Sequence, residues 1–191
     1  MTDREIYRAI RERNHVLFLE LAESLATLLV EKQIECVVGD AIEGYNPTHD
    51  VCRLLIDRAV RSALQKTGTV ITNYAFRLVG HPAPHSAPSG GLRFDLESDE
   101  LVSKLEQIRS YAKSAGGILV SEMEEAFLEY GESAFAEELL YSTDTAAQLE
   151  EFEAARPFYE THGEKQVAAG YYKDVIRYRE HIAPIARTLS G

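Results

Sequence analysis

Apolar residues recur at three- and four-residue spacing from Asp3 to Lys32. Ile6, Ile10, Leu17, Leu21, Leu25, Leu28 and Leu29 form the stripe, with Arg and Glu between them. This period predicts one long amphipathic helix, interrupted at Asn14-His15, where His15 reads as a polar-face or interhelical residue. From Glu35 to Gly39 the pattern changes to a short apolar run closed by a turn signal, which predicts a buried strand. A second helix is expected from Asn46-Pro47, because Asn is a good N-cap and Pro suits the first helical position. Its inward face is Val51, Leu54, Leu55, Ala59 and Ala63. Thr69 to Val79 then alternates, with Val70, Thr72, Tyr74, Phe76 and Leu78 on one side and Ile71, Ala75 and Val79 on the other. Strand, helix and strand in succession predict a βαβ unit and parallel pairing.

The segment from Gly80 to Gly91 is rich in proline and glycine and reads as a long loop. Leu92 to Leu96 alternates and adds a short strand. From Ser98 onward the pattern is mainly helical. Leu101, Leu105, Ile108 and Ala112 form a stripe ended by Gly116-Gly117, and Ser121 to Glu124 has capping-box spacing. Further helical pieces are expected over Ala134–Leu140 and Thr145–Ala155, the last broken by Pro157. A closing helix is expected from Ala168 to Leu189, kinked or ended by Pro184. The expected fold is α/β, with a small, mostly parallel, Rossmann-like sheet, flanking helices and a helix-rich C-terminal half. It reads as one α/β domain over 1–191, with a helix and βαβ core in 1–96 and a mainly helical extension in 97–191.

Charge narrows the function classes. The formal net charge is −11, which argues against nonspecific binding to nucleic acid or anionic membrane, since both need a basic surface. No run approaches the roughly 18 apolar residues of a membrane span. The first residues carry acids and no apolar h-region, so no signal peptide is expected. Cys36 and Cys52 form no CxxC pair and read as packing residues, consistent with a reducing, cytoplasmic location. The acids Glu122, Glu124, Glu125, Glu129 and Glu132 read as a solvated helix face. Tyr171, Tyr172, Arg177, Tyr178, Arg179 and His181 are a candidate binding face, although at helical spacing they read first as packing and surface ion-pair residues.

Chemistry gathers in Val37–Asp50. A β-branched run ends in a loop carrying Asp40 and Glu43, and the following helix places His49 in its first turn. Open α/β sheets bind ligands at the carboxyl ends of their strands. Asp40, Glu43, His49 and Asp50 therefore form the candidate site, with helix capping or pairing to Arg53 as the simpler role of each acid. His81 and His85 in the long loop are further candidate metal ligands.

Three stretches resemble the PIG-L/LmbE family of zinc-dependent N-deacetylases. Asn46-Pro47-Thr48-His49 is similar to the family's HPDH-type motif, whose last histidine binds zinc. Arg93-Phe94-Asp95-Leu96, followed by a helix with Lys104, is similar to its later aspartate strand and lysine-bearing helix. Gly131-Glu132-Ser133-Ala134-Phe135 resembles its Gly-x-Glu-x-Phe segment. The likeness spans about Asp3 to Leu140 and corresponds to the family's C-terminal portion. The HPDD-type first motif, which supplies further zinc ligands and the general base, is absent; Asn46 and Thr48 replace the first histidine and the acid of the HPDH pattern.

The resemblance implies a metal-dependent hydrolase that removes an acetyl group from an N-acetylated sugar-type substrate, incomplete or inactive as this chain alone. It makes His49 a ligand for zinc or another divalent metal and Asn46 an oxyanion donor, with Asp40 as the second catalytic residue. Glu43, Tyr45 and Arg53 are the expected substrate-binding residues. A hydrolytic zinc site needs about three protein ligands and a water, so a partner chain or homo-oligomer is expected to complete it. The alternative is a non-catalytic α/β ligand-binding or protein-interaction module.

Overall fold

The expected first helix is two helices in the computed structural model, which describes residues 2–82, 90–115, 117 and 119–191. α1 (Asp3–Glu12) and α2 (His15–Glu31) part where Arg13 turns left-handed and Asn14 caps α2 by accepting the Leu17 N–H. There follow β1 (Cys36–Asp40), α3 (Pro47–Thr67), β2 (Thr72–Phe76), β3 (Leu92–Asp95), α4 (Ser98–Ser114) and α5 (Val120–Tyr130). The chain continues through β4 (Glu137–Ser142), α6 (Thr145–Ala154), α7 (Phe158–Ala168) and α8 (Ala183–Ser190). It divides into two units, one of residues up to Leu78 together with those from Thr143, the other of Val79–Ser142.

In the first unit β1 and β2 pair in parallel, Cys36 opposite Thr72 and Asp40 opposite Phe76, with α3 as the crossover. The expected βαβ unit is present. Gly39 faces α3, where a Cβ would run into the Ile56 side chain. One apolar cluster joins Ile10, Phe18, Val51, Leu54, Ile182, Ile185 and Leu189. A second joins Ala26, Leu29, Ala59, Ala63 and Ile71. The small residues of α2 and α3 in the second cluster let those helices approach closely. Leu55 is partly buried against the first cluster, so the inward face of α3 is the one its apolar period predicts. His15 is interhelical, its Nδ1 lying 2.9 Å from the Thr188 hydroxyl of α8.

In the second unit β3 and β4 pair antiparallel, Leu92 opposite Leu140 and Asp95 opposite Glu137. The α/β class holds, but the mostly parallel, Rossmann-like sheet does not, because β1 and β2 pair in parallel whereas β3 and β4 pair antiparallel. Residues 137–140, expected at the end of a helical piece over Ala134–Leu140, lie in β4. Glu and Leu favour helix locally, and pairing with the distant β3 overrides that preference. α5 starts one residue before Ser121 and has no side-chain cap, so the capping box expected there is absent. Lys104 donates to the Phe135 carbonyl and pairs with Glu138. Glu122, Glu124, Glu125, Glu129 and Glu132 are exposed, as a solvated face requires.

The predicted closing helix is the largest correction. α7 ends near Gly170, which takes φ +81°, and only Ala183–Ser190 is α-helical beyond it, preceded by a π-turn at Tyr178–Ile182. Pro184 lies at the start of α8 rather than inside a longer helix, where its missing N–H costs nothing. Both cysteines are free and exposed, not packed inside. No helix among the described residues is long and apolar enough to cross a membrane.

Candidate functional site

The site is assembled by the end of β1 and the start of α3. Past Asp40 the backbone stays attached to β2 through the Ala41 N–H, which donates to the Phe76 carbonyl at 2.8 Å. Ala41 and Ile42 are buried, so the chain leaves the strand over apolar packing and then turns outward at Glu43-Gly44-Tyr45. Asn46 closes the loop as the N-cap of α3. Its Oδ1 accepts from the Thr48 N–H at 2.9 Å and the Thr48 hydroxyl at 2.8 Å, with Pro47 in the first helical position. Capping with a short amide is local chemistry, which is why the start of α3 is where the residue pattern places it.

This start carries His49 back toward the strand. Its Nδ1–H donates to Asp40 Oδ2 at 2.9 Å, with the imidazole 40% and the carboxylate 19% exposed. The pair brought together at the carboxyl end of β1 is therefore Asp40 and His49.

Asp50 has a different task. It is 1% exposed, and its Oδ1 accepts the backbone N–H groups of Glu43 at 3.1 Å and Gly44 at 3.3 Å. Burial pushes its carboxyl up to about 6; the two backbone bonds oppose that shift, the Glu43 carboxylate adds to it, and His49 opposes it. Its Oδ2 has no hydrogen-bond partner among the described residues, and neither does the buried Tyr159 hydroxyl. Burial and then the Asp50 charge raise the Tyr159 phenol above its ordinary value. The Tyr159 N–H donates to the Gly44 carbonyl at 3.1 Å, so the loop is held from α3 on one side and α7 on the other.

Gly44 fits this clasp because it has no side chain. It takes φ +64°, and a Cβ would lie 2.7 Å from Pro157 Cβ and 2.8 Å from the Phe152 ring. Gly44→Ala is expected to lower stability by about 2 kcal/mol, from left-handed strain and overpacking together. Chemical denaturation measures this directly, and an unchanged midpoint would contradict the clasp.

The other expected site residues lie as follows. Glu43 Oε2 accepts the Leu78 N–H at 2.8 Å, tying the loop to the end of β2. Tyr45 is exposed and stacks on Phe158. Arg53, expected on a pocket wall, is instead fully buried and binds the Tyr74 carbonyl, Asn73 and Asp57. It ties α3 to β2 and lines no open surface. His81 lies in the second unit, edge-on to Tyr130, and His85 falls outside the described residues. Of the late aromatics, Tyr178 is buried and Tyr171 and Tyr172 are exposed. Tyr159, Phe158 and His162 carried no signal in the residue pattern, because their place beside Gly44 and Tyr45 depends on a contact more than a hundred positions away along the chain.

The donor set decides what a metal could find here. Asp40 holds the Nδ1 side of His49, leaving Nε2 as the ring nitrogen able to bind a cation, an arrangement common around metal-binding imidazoles. Asp50 is turned inward onto the loop backbone and Glu43 onto Leu78. Among the described residues no three His, Cys, Asp or Glu side chains are grouped to share an ion. One oriented histidine and its carboxylate do not by themselves fit a three-ligand hydrolytic zinc centre. No family model, curated protein or solved structure matches the chain.

Proposed function

We propose that this chain supplies the histidine half of a PIG-L/LmbE-like, metal-dependent hydrolase acting on an N-acetylated sugar-type substrate. The observation that carries the reading is the 2.9 Å contact between Asp40 Oδ2 and His49 Nδ1 at the carboxyl end of β1. A carboxylate bound to one ring nitrogen fixes the tautomer and leaves the other nitrogen's lone pair for a divalent ion. Zinc is the ion the resemblance implies, and a mixed imidazole and carboxylate set also suits other divalent metals. The remaining donors come from outside this pair, on a partner chain or a second copy.

Within that reading Asp40 acts through His49 and is a positioning residue. Asn46 uses its carbonyl oxygen for the helix cap, which leaves its amide N–H groups to meet a substrate carbonyl oxygen as charge develops there. Tyr45, exposed beside Asn46, contacts the substrate, and Glu43 shapes the loop.

Calorimetric titration of metal-stripped protein with zinc tests the reading. One-site binding is expected in the parent, weakened roughly 10- to 100-fold in Asp40→Asn and lost in His49→Ala. Binding that survives His49→Ala would sink the assignment. No binding in the parent would favour the second reading, a non-catalytic ligand-binding or interaction module, for which the two-donor set is the specific observation.

A further inference from the structure

Every residue of β3 is exposed, and the strand stands at the end of its sheet, so among the described residues its outer edge has no partner strand. The Leu96 N–H donates to the Ala136 carbonyl at 2.7 Å, which continues the β3–β4 ladder by one residue. Backbone groups alternate between the two edges of a strand, so Leu92, Phe94 and Leu96 bond toward β4. Arg93 and Asp95 therefore hold their N–H and C=O groups toward the open edge. Such a row is a template for one more strand.

Side chains alternate as well. Leu92 and Phe94 share one face, 42% and 49% exposed, and Arg93 and Asp95 share the other. Arg93 Nε lies 2.9 Å from Asp95 Oδ1, and its Nη2 lies 2.9 Å from Glu137 Oε1. Edge strands are commonly blunted by lysine, proline or a bulge. This one instead carries opposite charges at mirrored positions on either side of a phenylalanine.

That order selects the partner. Leu92-Arg93-Phe94-Asp95-Leu96 reads apolar, basic, aromatic, acidic, apolar, and it complements itself when reversed. Antiparallel pairing centred on Phe94 sets Arg93 against Asp95 of a second copy, and Asp95 against its Arg93. These are the residues with outward backbone groups, so each such pair exchanges both of its N–H···O bonds. Between them Phe94 meets Phe94 in the closer, non-hydrogen-bonded pair, and Leu92 faces Leu96. Centring the pairing on Arg93 or on Asp95 would put like charges opposite one another, which is unfavourable. An unrelated strand would share the backbone bonds but not this order of charges.

We infer that the outer edge of β3 is a self-association surface, at which two copies join antiparallel about a two-fold axis through Phe94 and their β3–β4 ladders become one sheet. The surface stands apart from the hydrolase reading, since β3 belongs to the second unit and the Asp40–His49 pair to the first.

Sedimentation equilibrium of the full chain tests it. A reversible monomer–dimer equilibrium is expected as the concentration rises to about 500 µM, because so short an edge makes a small interface. Arg93→Asp and Asp95→Arg each place like charges opposite one another, and each is expected to raise the dimer dissociation constant about tenfold or more. Mixed in equal amounts, the two variants carry complementary edges and are expected to dimerise with each other. The double variant Arg93→Asp/Asp95→Arg restores the mirrored order and is expected to dimerise with itself. Circular dichroism melts confirm that each variant is folded. Hydrogen exchange locates the contact: the Arg93 and Asp95 amides gain protection at high concentration, while those of Phe94 and Leu96, already bonded toward β4, change little. A parent that stays monomeric overturns the surface. So does a dimer indifferent to the charge reversals, or one that mixing the two variants fails to restore. None of these results touches the zinc titration, so the surface and the hydrolase reading fail separately.

Discussion

Asp57→Ala is expected to destabilise the protein by about 3–5 kcal/mol, the cost of leaving a buried guanidinium without its carboxylate. Arg53 is 0% exposed; it donates to the Tyr74 carbonyl at 3.0 Å and to Asn73 Oδ1 at 2.6 Å, and lies 3.0 Å from Asp57 Oδ1. Burial lowers the Arg53 pKa and Asp57 opposes that shift, so the carboxylate is what keeps the inner charge tolerable. Asp57 also accepts from the Asn73 amide and the Thr145 hydroxyl. Its loss frees donors on α3, on β2 and at the start of α6. Urea denaturation gives the magnitude, and the double variant Arg53→Met/Asp57→Leu gives the control. Removing both charges is expected to cost less than removing one, since an apolar pair leaves no buried ion. A double variant no more stable than Asp57→Ala would show that packing, not charge, dominates the network.

Asp50→Asn is expected to gain stability relative to the parent as pH rises from about 4 to about 6. The carboxyl sits at about 6 in the folded protein against an ordinary 3.8. The folded chain therefore holds this proton more tightly than the unfolded one. Below pH 4 both states are protonated and the group adds no cost. Between 4 and 6 only the unfolded state ionises, and stability falls; above 6 both are ionised and the cost is constant, about 3 kcal/mol for a carboxyl moved from 3.8 to about 6. Asparagine keeps an oxygen for the Glu43 and Gly44 N–H groups, while alanine abandons the loop altogether. Asp50→Ala should therefore be less stable than Asp50→Asn across the whole range. Denaturation midpoints at pH 4, 5, 6 and 7 test the sign. Parallel pH curves for the parent and Asp50→Asn would show that the inner carboxyl titrates at its ordinary value.

These residues mark where the amino-acid pattern is informative. The Asn46-Pro47 cap, the β1–α3–β2 crossover and the apolar stripe of α3 are visible because each depends on neighbours within a turn or on a simple period. Asp40 and His49 are legible as a pair for the same reason, being nine positions apart across one short loop. Arg53 and Asp50 are misleading in the opposite direction. Their charge suggests a substrate contact at Arg53 and a share in the site at Asp50, and only the packing around α3 shows that both are inside. Strand β4 reads as helix because its partner β3 lies about 45 residues earlier, and pairing energy does not appear in a local period. The segment after Gly170 keeps an apolar rhythm that suits a helix. A left-handed glycine, then the capture of the Tyr178 N–H by Glu160, take the chain along another path.

The clasp on Gly44 also sets an order of events during synthesis. β1, α3 and β2 can associate once the first 78 residues have left the ribosome, since their pairing is internal to that stretch. The loop between Asp40 and Asn46 cannot close until Phe152, Pro157 and Tyr159 have also emerged, because Phe152 and Pro157 fill the space beside Gly44 and the Tyr159 N–H binds its carbonyl. Asp40 and His49 are thus made early and given their surroundings late. A nascent chain stalled before Pro157 would carry the Asp40–His49 pair without Phe158 stacked on Tyr45.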